Sequence, residues 1–195
     1  MPLQHALLAT LLDGDATGYE LAKRFDLAAS NFWHAQRAQL YSELNRMEDA
    51  GLVSAETVLQ TTRPNKRVFS LTEDGLEELR RFVAEPSDRI ALKDDLMVKI
   101  TAVDVADHDA ALADIERRRQ SAAAQLARYE GDLERMLHGR DEKTFVRTTR
   151  RIGPYLTLLR GIALEQENIR WCDTVARLVA ARRSRSTTTK RSRTA

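Results

Sequence analysis

Gln39, Tyr41, Ser42, Asn45 and Arg46 fall within eight consecutive residues, and they are the side chains of this chain best suited to directional chemistry. Amide, hydroxyl and guanidinium groups form hydrogen bonds in planar or forked arrangements. Asn and Gln can bridge the N6 and N7 edge of adenine, and Arg the O6 and N7 edge of guanine. Projected at helical spacing, Gln39, Ser42, Asn45 and Arg46 fall on one side together with Ala38, whose small side chain permits close approach, and Tyr41 stands at the edge. Leu40, Leu44 and Met47 fall on the opposite side, as core. Glu43 and Glu48 lie off the polar face. Gln36 and Arg37 stand at the start of the helix and extend the set. Such a face fits the major groove of double-stranded DNA. An ordinary solvated helix would carry a similar face, so its neighbours must decide between the two.

Those neighbours are elements in a fixed order. Leu3, Leu7, Leu8, Leu11 and Leu12 have helical spacing and stop at the turn cluster Asp13-Gly14-Asp15. Thr17 is suited to cap a second helix from Gly18 to about Leu27, with Tyr19, Leu21, Ala22 and Phe25 as its apolar side. The third helix runs from near Arg37 to Gly51, a residue type common just past helix ends. Val53–Leu59 and Lys66–Leu71 are β-rich and flank a turn at Pro64-Asn65. Arg63, Lys66 and Arg67 cluster at the expected hairpin tip, where they would lie along phosphates. Thr72 caps a fourth helix whose inward positions are Leu76, Leu79, Phe82 and Val83. Helix, turn, helix and basic hairpin in this order describe a winged helix-turn-helix, and the joint pattern points to DNA.

From Ile90 the strand signal disappears. Leu92, Leu96, Ile100 and Val103 suit a short helix. Asp107 caps a long one whose seam is Leu112, Ile115, Arg119, Ala122, Leu126, Tyr129, Leu133 and Met136, a heptad pattern with one charged interruption. A last helix extends from Phe145 to Leu178, and Gly153-Pro154 should kink or divide it. Two long antiparallel helices bury only one stripe, so a second copy of the chain is the expected partner. The fold class is therefore mainly α with a small β wing: a winged helix-turn-helix over 1–86, an all-α antiparallel helical dimerisation domain over 87–181, and a disordered basic tail over 182–195.

The net charge of +2 conceals a partition. Residues 1–86 carry 9 Lys/Arg against 13 Asp/Glu, residues 87–181 carry 16 of each, and residues 182–195 carry 6 cations and no acid. DNA affinity must rest on local cations rather than on global charge, with the tail able to add non-specific attraction. The acidic balance of residues 1–86 also supports an alternative, a protein-interaction adaptor without sequence-specific DNA binding. One cysteine, Cys172, excludes an intrachain disulfide, fits a reducing cytoplasm and reads as a small buried hydrophobe. No apolar run approaches the ~20 residues of a membrane helix. The N-terminal run lacks a basic start and a cleavage site, and is not read as a signal peptide. His5, His34, His108 and His138 have no metal-ligand spacing. No phosphate loop, nucleophile elbow or paired-carboxylate pattern appears, so neither a cofactor nor an enzyme is expected. Trp33, Trp171, Phe32 and Tyr155 can stack on a flat ligand. Trp171 is the candidate effector residue, although most buried aromatics are core.

Gly18-Tyr19-Glu20-Leu21, Leu40-Tyr41-Ser42-Glu43-Leu44, Glu48-Asp49-Ala50-Gly51-Leu52-Val53 and Phe69-Ser70-Leu71-Thr72-Glu73-Asp74-Gly75 together resemble the PadR family of bacterial transcriptional regulators. The similarity is collinear through residues 3–85. Leu159-Arg160-Gly161-Ile162 with Glu165 and Trp171 resembles the all-helical C-terminal domain of the family's longer class. The resemblance implies a homodimeric repressor on an inverted repeat, relieved by a small aromatic or drug-like effector. It carries over to the helix around Leu40-Tyr41 and to the wing. Gln36-Arg37-Ala38-Gln39 stands where many members have Ser, Pro or Gly.

Overall fold

Apolar periodicity of 3.6 gives way to period two only between Val53 and Leu71, and the architecture follows that change. The computed structural model describes residues 2–29, 36–59, 65–87, 93–105 and 107–191. The chain divides into two compact units, Met1–Arg89 and Ile90–Ala195.

The first unit contains α1 (Pro2–Leu11), β1 (Ala16–Thr17), α2 (Gly18–Ala29), α3 (Arg37–Asp49), β2 (Val53–Val58), β3 (Lys66–Leu71) and α4 (Glu73–Ala84). The strands form an antiparallel sheet in the order β1-β3-β2, with Ala16 opposite Phe69 and Val53 opposite Leu71. Leu7, Leu8, Leu21, Phe25, Leu40, Leu44 and Met47 are buried in one core, which Val53 and Phe69 close from the sheet side. Burial on β2 is confined to its first residue, Val53, so the hairpin leaves the core and projects as a wing.

Local chemistry sets the element ends. Thr17 N–H donates to Glu20 Oε2 at 2.8 Å and Thr17 Oγ1 accepts the Glu20 N–H at 3.3 Å, a reciprocal cap on α2. At the end of α3, Leu52 N–H reaches Met47 O and Gly51 N–H reaches Glu48 O, both at 2.9 Å. This closure places Gly51 at φ +72°, which favours glycine. Thr72 Oγ1 accepts from Gly75 N at 3.1 Å and donates to Gly51 O at 2.7 Å, capping α4 and fastening it to the turn after α3.

In the second unit, α5 (Asp95–Thr101) and a 3₁₀ turn (Val103–Val105) precede α6 (His108–Leu137), α7 (Glu142–Thr148) and α8 (Gly153–Arg191). The last helical stretch is divided before Gly153-Pro154. Ile115, Ala122 and Tyr129 are buried along α6, and Tyr155, Leu158, Cys172 and Val179 along α8. The ion pairs Arg119–Asp173 (2.6 Å) and Asp104–Arg182 (3.0 Å) show α8 running antiparallel to α6. Arg119, the charge interrupting the seam, is thus matched from the opposite helix.

Three expectations differ from the structure. Phe82 and Val83, expected to point inward, are 41% and 76% exposed, because the last turn of α4 runs past the core. Phe82 stacks instead on the His5 ring, with centroids 3.9 Å apart. Tyr19, placed on the apolar side of α2, is 62% exposed. Arg182–Arg191, expected to be disordered, continues α8, since adding residues to an existing helix avoids the nucleation penalty. Residues 192–195 lie outside the described residues.

Candidate nucleic-acid interface

The packing of Leu40, Leu44 and Met47 against α1 and α2 fixes which side of α3 faces solvent. Gln36, Arg37, Ala38, Gln39, Tyr41, Ser42, Asn45 and Arg46 are all exposed, so the outward face is the one expected from helical spacing. The structure adds what each side chain already holds.

Gln36 caps α3, and its N–H donates to Gln39 Oε1 at 3.0 Å. The Arg37 guanidinium lies over the Tyr19 ring, 5.8 Å from its centroid. Beside it, Tyr41 packs against Gly18 so closely that a Cβ there would meet the ring at 2.4 Å. Arg46 is held by Glu43 on its own helix, through Nε–Oε2 at 3.1 Å and Nη2–Oε1 at 2.5 Å, and Nη2 also donates to Gln4 Oε1 at 3.1 Å. Glu43 is therefore not a bystander off the polar face; it orients the arginine.

The wing cations differ from one another. Lys66 is exposed and pairs with Val58 at the outer end of the hairpin. Arg67, expected at the hairpin tip, turns back toward α3. Its Nη1 donates to Asn45 Oδ1 at 3.0 Å, its Nη2 pairs with Glu48, and its guanidinium lies 5.2 Å from the Phe69 ring centroid. Sequence spacing places Asn45 and Arg67 separately; strand register and the α3–β2 turn bring them together. Arg63, like Phe32, Trp33 and His34, lies outside the described residues.

Tyr19, Gly18, Gln4 and Glu48 join this surface without having been singled out for it. Hydrophobic periodicity had drawn Tyr19 inward, and no local pattern marks Gln4 or Glu48 as partners of distant arginines. Electrostatics on this side are mixed. Thr17 holds the Glu20 carboxyl below its ordinary range through the cap, with Lys66 and Arg24 adding smaller attraction.

In the second unit, an open polar cleft lies between α5 and α6, where Asp94 accepts two bonds from Arg118 and Asp114 pairs with Lys99 and Arg117. Trp171 is half-buried on α8 and does not line it. Burial raises the Cys172 thiol above its usual range. Among the described residues, no group of His, Cys, Asp or Glu is placed to hold a metal, and no helix is long and apolar enough to cross a membrane.

Comparison with known proteins matches both halves. Residues 7–81 fit the transcriptional regulator PadR-like family, and residues 92–180 fit the virulence activator alpha C-terminal family. A probable transcriptional regulator of Mycobacterium tuberculosis is 34% identical over 197 residues, covering 94% of this chain and 100% of that one. The negative transcriptional regulator PadR of Bacillus subtilis is 25% identical, covering 91% and 97%. Its crystal structure in complex with operator DNA superimposes with a TM-score of 0.79 at 23% identity, over 92% of this chain and 99% of that one. It is also known in complex with p-coumaric acid, with a TM-score of 0.72 at 22% identity over 91% and 98%. The Vibrio cholerae virulence activator AphA superimposes with a TM-score of 0.69 at 26% identity, over 92% and 98%.

Proposed function

Because this chain belongs to the PadR-like family of transcriptional regulators, we propose that it is a cytoplasmic homodimeric repressor. In this reading α3 enters the major groove of an inverted repeat in double-stranded DNA, the β2–β3 wing follows the backbone, and a small aromatic effector releases the complex. The observation that carries it is the exposed face Gln39, Ser42, Asn45 and Arg46 standing beside a wing strand whose Arg67 bonds directly to Asn45. A helix and a hairpin braced in this way present one continuous surface rather than two independent ones.

The helical unit supports the dimer reading. Leu156 and Leu178 on α8 and Val98 on α5 remain exposed in a single chain, and a second copy would cover apolar surface of this kind. Two copies would set their α3 helices about one DNA turn apart, roughly 34–36 Å. The effector acts by favouring a dimer geometry with a different spacing. The B. subtilis complex with p-coumaric acid supports a planar aromatic acid as the first compound to test.

Binding of the full chain to its own upstream DNA, measured by fluorescence anisotropy across salt concentrations, tests the reading. Affinity should fall steeply with salt, and Arg46→Ala should weaken binding and change the salt slope by about one. The net acidity of residues 1–86 favours the adaptor alternative. Indifference of any DNA interaction to both salt and Arg46→Ala would favour that alternative and remove the regulator model.

A further inference from the structure

We infer that Glu43 and Glu48 are specificity-determining residues: by holding Arg46 and Arg67 away from phosphate, they keep the affinity for non-operator DNA low. This rests on the reading of α3 and the wing as the DNA surface. Sequence-independent binding comes from cations that neutralise phosphates and release their counterions. An operator competes with a whole genome of other sites, so the ratio of the two affinities matters more than either alone.

Among the described residues, four cations stand on α3 and the wing strands: Arg37, Arg46, Lys66 and Arg67. Arg37 lies over the Tyr19 ring, an interaction that leaves its charge in place. Lys66 is exposed and feels only a through-space attraction to Glu20. The other two are matched by acids. Arg46 places Nε and Nη2 on Glu43, and Nη2 also on Gln4. Arg67 places Nη2 on Glu48 and Nη1 on Asn45, beside the Phe69 ring. Arg46, Glu43, Arg67 and Glu48 sum to zero charge, so half of these cations bring no net attraction for a polyanion.

In each pair the carboxylate is the more sheltered member. The Glu43 side chain is 16% exposed against 63% for Arg46, and Glu48 32% against 44% for Arg67. Partly buried pairs are screened less by salt than open ones, so the arginines stay tethered while a duplex slides past. A tethered guanidinium cannot follow phosphates whose positions change with each register. On the operator the register is fixed, and Arg46 can meet DNA through Nη1, which neither Glu43 nor Gln4 engages. Freeing Arg46 thus adds a contact on random DNA and none on the operator.

The test measures the full-length protein by anisotropy on its operator and on an equally long duplex lacking it, across salt. Glu43→Gln keeps the side-chain shape and removes the charge. It should tighten non-operator binding about eightfold at ~0.1 M salt and steepen its salt slope by about 0.9, the effect of one added phosphate contact. Operator affinity should change less than about threefold, so the specificity ratio falls. Glu48→Gln should act in the same direction but less, since Asn45 and Phe69 still hold Arg67. Glu43→Gln combined with Arg46→Gln should return non-operator binding to within about twofold of wild type, because no freed arginine remains. Glu77→Gln makes the same net-charge change on α4, where Glu77 pairs with Arg80, and should leave both affinities within about twofold of wild type. Non-operator binding unmoved by Glu43→Gln, an equal gain on both duplexes, an equal gain from Glu77→Gln, or a double variant as tight as Glu43→Gln overturns the inference. Equal binding of both duplexes by wild type would instead remove the groove-reading model on which it stands.

Discussion

Single side chains on the α3 surface are set by close neighbours more than by solvent. Gly18 shows how narrow the tolerance is. The Tyr41 ring occupies the space a side chain would need, since a Cβ on Gly18 would stand 2.4 Å from Cε1. Tyr41 is partly exposed and can rotate away, so Gly18→Ala should leave the unfolding free energy within about 1 kcal/mol of wild type. It should nevertheless weaken operator binding several-fold, because the ring would be driven onto the outward face. Unchanged affinity in anisotropy titrations would show that Tyr41 lies outside the interface. Arg46 and Arg67 carry a related lesson. Both are ion-paired in the free chain, and exposed pairs of this kind contribute only about 0–1 kcal/mol to stability. Their value lies in orientation.

Elements are joined at a few tight points. Gly75, in the first turn of α4, lies against the Leu52 carbonyl, where a Cβ would approach the oxygen to 2.0 Å. Backbone cannot yield as a side chain can, so Gly75→Ala should destabilise the first unit by at least about 1–3 kcal/mol, read as a lower urea midpoint. A midpoint equal to wild type would mean that α4 docks differently. At the start of the second unit, Asp94 caps α5 through Leu96 N and accepts two bonds from Arg118. Arg118 is the main cause holding its carboxyl below the ordinary range, and the Leu96 cap assists. A lowered folded value means stabilisation that is complete above the unfolded carboxylate range and disappears as pH falls through the folded value. Asp94→Asn keeps a capping oxygen but removes the charge. Its stability deficit should be full at neutral pH and close in acid; a deficit independent of pH would contradict the ion-pair account.

Much at this scale was legible in residue order. The spacing of Leu40, Leu44 and Met47 settled which side of α3 is outward, and Thr17, Thr72 and Asp107 announced helix starts that the structure has. What could not be read depends on distant partners. β1 is two residues long, too short for any alternation, and exists because Phe69 and Val68 offer it a strand edge. The Arg67–Asn45 bond joins residues 22 apart, and His5 meets Glu78 across 73 residues at 3.0 Å. Local pattern carries no information about such pairings; the exposure of Phe82 and Tyr19 escaped for the same reason.

At the scale of the whole molecule, the proposed function assigns a different task to each of the two compact units. The first has its own core from Leu7 to Leu79, so the fragment Met1–Arg89 should fold alone and unfold cooperatively in urea. Lacking the helical unit, it should bind a two-half-site operator at least about 100-fold more weakly than the full chain, because linked binding of two modules raises affinity by roughly 10²–10⁴. A fragment that binds as tightly as the intact protein would show that α5–α8 contribute nothing to avidity. In the proposed complex the acidic balance of residues 1–86 would make this dependence sharper, since only a few cations would draw each copy to phosphate.

The buried thiol on α8 has a practical corollary. Cys172 is the chain's one cysteine, has no exposed surface and is disfavoured from ionising. Alkylating reagents require an accessible thiolate, so the native protein is silent toward them. A single Val83→Cys exchange on α4, 76% exposed and off the α3–wing face, therefore offers one addressable handle per subunit with no background. In the proposed dimer, paired spin labels attached there would act as a ruler between the two copies of the first unit, reporting their separation in solution with DNA, with a candidate effector, or with neither.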